Sequence, residues 1–166
     1  MPYKISDLVH YGTDGVCSIT DIIEKPFRDS MVKYYVLSPV FNASATIFVP
    51  LDNQKLISER MRYALTPAEI KKIISETSSD DDIWIDNETE RKARYKEIIQ
   101  SGDSREILKI VYTLSAHQEQ QKALGKKMHI ADERFFKDAE RLINNEFAAV
   151  LGILPSEVFD YIRKSL

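Results

Sequence analysis

The residues of this chain that could do covalent chemistry are few and scattered. Its three histidines, His10, His117 and His129, have no carboxylate or cysteine partner at metal-ligand spacing. Its five glycines are dispersed at turns, not gathered into a loop that could cradle a phosphate. The one cysteine, Cys17, lies in a strand-like run and reads as a small buried hydrophobe; no G-x-S-x-G elbow or cysteine-nucleophile pattern is present. The run Asp80-Asp81-Asp82 lacks the alternating ligand spacing of a calcium loop and reads as a solvated hinge. No enzyme, metal site or cofactor is expected. What remains is binding chemistry, carried by aromatic rings and cations. The only tryptophan, Trp84, stands just past the acidic run and before a helical stretch with Arg91, Lys92, Arg94 and Lys96. A ring beside cations can press on a nucleic acid, and a lone tryptophan beside helices can equally fill a core. Residue type leaves both readings open.

The net charge of −3 argues against a general nucleic-acid coat protein, but charge is unevenly spread. Residues 87–128 hold nine basic and six acidic side chains, whereas residues 67–86 hold two and six. One helical stretch is therefore positive beside an acidic hinge, and a local basic face can meet phosphates even on an acidic protein. With 43% hydrophobic and 30% charged residues, the chain has the composition of an ordered globular protein. No apolar run approaches the ~20 residues of a membrane span. The opening MPYKISDLVHYG has charge where a signal peptide needs an apolar stretch. A soluble, cytoplasmic, monomeric protein is expected.

The first half reads as strands. "DLVHYG", "GVCSITDIIEK", "MVKYYVLSPV" and "ATIFVPL" are rich in β-branched and aromatic residues and are separated by TDG, KPFRDS and NAS turns. A fifth, weaker strand fits around Met61 to Leu65. Four or five short strands in residues 1–65 suggest a small closed antiparallel barrel. At Thr66 the period changes: "TPAE" offers a threonine N-cap, a proline at the first helical position and Glu69 for a capping box. Helices are expected to about Glu76, from near Asn87 to the glycine of "SGD", from Ser104 towards Gly125, and from Asp132 to Leu151. A short one over "SEVFDYIRKSL" closes the chain. The fold class is α+β, a β module followed by an all-α module over residues 66–166.

The order "DLVHYGTDGVCSITDII", "YYVL", "ATIFVPLDN", then "RYKEIIQSGD" and "DERFFKDAERLINNEFAAVLGI", resembles the CarD/CdnL transcription regulators. Their β module, also found in the transcription-repair coupling factor, has an SH3/Tudor-like barrel. The resemblance spans roughly residues 3 to 153. It implies a module that binds the RNA polymerase β subunit through a strand edge, with Lys25, Phe27 and Phe48 at the matching positions. Strand alternation turns Phe48 opposite to Ile47 and Val49, hence outward if those two face the core. Phe27 either presents an exposed ring or folds back over the barrel end. For the helical module the resemblance implies weak, sequence-independent promoter contact that stabilises the open complex. Trp84 would be the wedge, with Arg91, Lys92, Arg94, Lys96, Lys127 and Arg134 towards phosphates. Departures are Gly12 and Asp14 in the first turn, and Trp84 lying several residues upstream of Arg94 and Tyr95. The alternative is a protein-interaction adaptor whose helical half binds another protein. A β-module swap between chains stays open.

Overall fold

A computed structural model describes residues 2–78 and 81–165. The chain divides into two compact units, residues 1–64 and 65–166.

The first unit is one antiparallel sheet. Strands β1 (Leu8–Tyr11), β2 (Gly15–Phe27), β3 (Ser30–Pro39), β4 (Ile47–Pro50) and β5 (Met61–Tyr63) lie in the order β4-β3-β2-β1-β5. As expected, the unit is a small five-stranded antiparallel β module; β4 and β5 are the outermost strands in this order, and no β4–β5 pairing is seen among the described residues. A helix that the strand pattern conceals, α1 (Gln54–Arg60), lies between them. Asn53 caps it by accepting from the Leu56 backbone N–H at 3.1 Å.

One face of the sheet holds the core, where Val9, Ile19, Leu37 and Val49 are wholly buried with Tyr35, under Ile57 and Met61. Cys17 belongs to this core, and burial pushes its thiol up to about 12, with Asp14 adding to the rise. At pH 8 only about one molecule in ten thousand would carry the thiolate. A thiol-specific reagent is therefore expected to leave the native protein unlabelled and to titrate one thiol in denaturant. Prompt labelling without denaturant would contradict the burial.

The pattern along β2 slips by one residue. Ile19 pairs with Leu37 and Asp21 with Val36, leaving Thr20 as a bulge. Beyond it the faces reverse: Ile22 pairs with the buried Tyr35, while Ile23, Lys25 and Phe27 turn to the outer face. The hairpin continues past the core to a two-residue loop, Arg28–Asp29, with Arg28 at φ 56°.

The second unit is helical: α2 (Pro67–Glu76), α3 (Glu88–Ser101), α4 (Ser104–Ala123), α5 (Ile130–Leu151) and α6 (Val158–Lys164). Both hydrogen bonds of the capping box form at α2, Thr66 N–H to Glu69 at 2.8 Å and Glu69 N–H to Thr66 at 3.2 Å. Gly102 and Gly152 end α3 and α5 in the left-handed region that favours glycine. Ile70, Ile74, Tyr95, Leu108, Leu114 and Phe147 form the centre of a continuous apolar core. Glu146 is buried there and accepts from the Leu65 backbone N–H at 3.0 Å and the Ser104 hydroxyl at 2.8 Å. This pins the first residue of the unit to α4 and α5. Among the described residues no helix is long and apolar enough to cross a membrane.

Candidate functional site

Two clusters hold the residues singled out by sequence, one in each unit.

In the β unit, register puts Lys25, Phe27 and Phe48 on one face. Val36 pairs with Phe48 on one side and Asp21 on the other, and Tyr34 with Pro50 and Ile23. These side chains stand opposite the core face. Val49 is fully buried while Phe48 is 44% exposed, as alternation requires. Phe48 meets Tyr34 edge to face with centroids 6.3 Å apart, and the Lys25 ammonium stands 4.0 Å from its ring centroid. That cation–π contact joins β2 to β4 across the intervening strand. Phe27 is 54% exposed at the hairpin tip with Met31, at 59%, close by; its ring does not fold back over the core. The Arg28 guanidinium carbon lies 5.4 Å from that ring. Ile23, Val32, Tyr34 and Val36 are half-buried between the two phenylalanines. An apolar strip crossed by one lysine therefore reaches β4, the outermost strand on that side of the sheet, and an outermost strand is where an added strand can pair.

In the helical unit the decisive residue is Arg91. It lies on the first turn of α3 yet is only 5% exposed. Its Nε and Nη2 donate to the two carboxylate oxygens of Asp132, each at 2.9 Å, and Nη1 donates to the Ile85 carbonyl at 2.8 Å and the Asp86 carbonyl at 3.4 Å. Arg91, which the resemblance set towards phosphate, is therefore engaged inside the helical unit and not at its surface. A guanidinium buried against a carboxylate is not presented to a polyanion, and exposing it would strand Asp132.

Trp84 is half-buried, packed on the edge of the core and neither a sealed plug nor a free ring. The Arg91 guanidinium carbon lies 4.2 Å from the ring centroid, and His117 of α4 stacks on it at 4.0 Å and 22°. The indole N–H donates to Asp86 at 3.0 Å, and the backbone N–H to Asp82 at 2.8 Å. Its neighbour Ile83 is fixed at both ends, its N–H on the Thr113 hydroxyl at 3.1 Å and its carbonyl on the Tyr95 hydroxyl at 3.1 Å. Burial pushes the Tyr95 phenol above its ordinary range, with Arg91 opposing. A cavity of about 110 Å³ opens beside the tryptophan, lined by Asp82, Thr113, Ala116, His117 and Gln120.

The remaining α3 cations are exposed. Lys92 pairs with Glu88 at 2.8 Å and Arg94 with Glu97 at 3.3 Å. Hydrogen bonding from Lys92, and then the charge of His129, holds the Glu88 carboxyl below the usual carboxylate range. Lys96 has no ion-pair partner among the described residues. Lys127 shares a cavity of about 180 Å³ at the α4–α5 turn with Gln118, Lys122, Lys126, Met128 and Glu133. Arg134 lies further along α5, in a shallow depression with Ile130 and Lys137. Trp84 and Lys127 line separate cavities with no lining residue in common. Of the acidic run, Asp81 accepts from the Ser78 N–H and Asp82 from Trp84, closing turns. Asp80 lies outside the described residues. Sequence reasoning missed His117, Asp86 and Asp132; a lone histidine and two helix-start aspartates carry no local sign of a tryptophan nearby.

The β unit is thus a short antiparallel sheet with an apolar outer face, followed in the chain by a helical unit. Residues 3–61, which make up most of the β unit, match the family model of the CarD-like/TRCF RID domain. This supports an RNA polymerase-interacting, CarD-like regulator. The match ends before the helical unit begins. No curated protein matches the chain.

Proposed function

We propose that the protein is a non-enzymatic transcription regulator. Its β unit docks on the RNA polymerase β subunit, and its helical unit contacts promoter DNA to modulate open-complex stability. The observation that carries the first half is the family match of residues 3–61, on a sheet whose outer face carries Lys25, Phe27 and Phe48, the last of them on the outermost strand β4. The supporting mode is strand addition, in which β4 supplies main-chain hydrogen bonds and the outer aromatic rings supply apolar contact. Recruitment by polymerase would give weak DNA contacts the effective concentration they need. Such a role fits a cytoplasmic location. The primary experiment is co-purification of the chain, and separately of residues 1–65, with the polymerase β subunit. Failure of both to bind would sink this reading.

On the DNA side, Trp84 is the apolar element, and the exposed Lys92, Arg94, Lys96, Lys127 and Arg134 are the phosphate-facing set; Arg91 is not among them. No base-reading array accompanies them, so contact should be sequence-independent. Charge reversal at Arg94 and Lys96 together is expected to weaken the ternary complex with DNA but not the binary complex with polymerase. The slope of log affinity against log salt should fall by about two, one for each lost phosphate contact. An unchanged slope would assign both to a solvated face.

A second reading has its own support. Leu154 and Phe159, 61% and 60% exposed, are large apolar side chains near the C-terminal end of the helical unit, which suits an adaptor that binds another protein. Salt-sensitive promoter binding that requires polymerase would exclude it as the main role.

A further inference from the structure

A buried ion pair is a poor device for stability. Taking a guanidinium and a carboxylate out of water costs several kcal/mol each, and replacing such pairs by well-packed apolar residues often leaves a fold equally or more stable. Arg91 and Asp132, at 5% and 1% exposure, therefore call for another account. What this pair does that an apolar pair could not is orient a planar fork. With Nε and Nη2 fixed on Asp132, Nη1 is aimed at the Ile85 and Asp86 carbonyls, and the guanidinium plane is presented to Trp84 at 4.2 Å. Both carbonyls belong to the segment that carries the indole, so one buried group holds the ring and its backbone together. The other partners of the ring, Asp86 and His117, are exposed and half-buried, and neither is anchored to the core by an ion pair.

We propose that Arg91 and Asp132 are positioning residues for Trp84: the ion pair orients the guanidinium, and the guanidinium fixes how the indole sits and how much of it reaches solvent. This rests on the reading of Trp84 as the DNA-facing ring for its functional meaning, but not for its geometry. The pre-set ring loses little freedom on meeting a ligand, which is the advantage of preorganisation.

The test is the double substitution Arg91→Met with Asp132→Leu in the full chain, which keeps bulk in the core while removing the fork. Because Trp84 is the only tryptophan, fluorescence reports this one ring. The expected result is a folded protein, melting within about 5 °C of the parent, whose tryptophan has lost its shielding. Acrylamide quenching should rise towards the value of the denatured chain. The polymerase–promoter complex should be shortened as much as by Trp84→Ala. Parental quenching in the folded double variant would overturn the proposal. Should that variant fail to fold, Arg91→Lys decides: a lysine keeps the charge facing Asp132 but cannot also reach both carbonyls. Increased quenching there supports the proposal, and parental quenching overturns it. Increased quenching with an unchanged promoter-complex lifetime would uphold the positioning role and remove Trp84 from the DNA interface.

Discussion

Arg91→Ala is expected to destabilise the helical unit by about 3–5 kcal/mol, because it leaves the Asp132 carboxylate buried without a counter-charge. The Asp132 side chain is 2% exposed in the intact pair, so it has little contact with bulk water to offset the two lost hydrogen bonds. The Ile85 carbonyl also loses its 2.8 Å donor. Domains of this size have only about 5–15 kcal/mol of net stability, so the loss is a large fraction of the whole. With each kcal/mol worth roughly 4–8 °C in a domain of 60–100 residues, melting should fall by about 12 °C or more. Thermal unfolding followed by circular dichroism checks this. A change within about 0.5 kcal/mol is the behaviour of a solvated surface residue, and would restore Arg91 to the candidates for phosphate contact.

Phe48→Glu is expected to abolish binding to the polymerase β subunit and to leave the sheet folded. A central aromatic in a protein interface is worth about 2–4 kcal/mol on truncation, so affinity should fall roughly 30-fold or more, and the cost of drying the new carboxylate at the interface adds to the loss. The fold should survive because Phe48 is 44% exposed on the face opposite the core, and because Lys25, now over its ring, can meet the new carboxylate. Parental melting combined with lost co-purification is the predicted pair of results. Unfolding of the variant would make Phe48 a core residue in function, and parental binding would move the docking surface elsewhere.

What the sequence made legible follows from how local each signal is. The start of α2 could be read from four residues, because Thr66 and Glu69 satisfy one another within a single turn. The outward Phe48 followed from alternation between neighbours on one short strand. Phe27 could not be settled this way: counting in twos from Ile19 gives the wrong face, and the bulge at Thr20 that corrects it has no composition of its own. The pairing of Arg91 with Asp132 spans 41 positions. A block of cations announces its sign and not its partners, so the most basic helical stretch also contained the most buried arginine. The same holds for α1, whose Asn53 cap is an ordinary turn residue until its bond to Leu56 is seen.

The edge strand carries a hazard along with its opportunity. An edge open to one partner is open to any extended chain, including a second copy, and long flat edges seed fibrils. Here β4 is four residues long and ends at Pro50, which has no N–H to donate. Such a short template can register only a few main-chain bonds, too few for sheets to grow by indefinite stacking. The brevity that protects the free protein from self-templating therefore also limits how much any partner strand can gain from the backbone, and leaves selectivity to the side chains of the outer face.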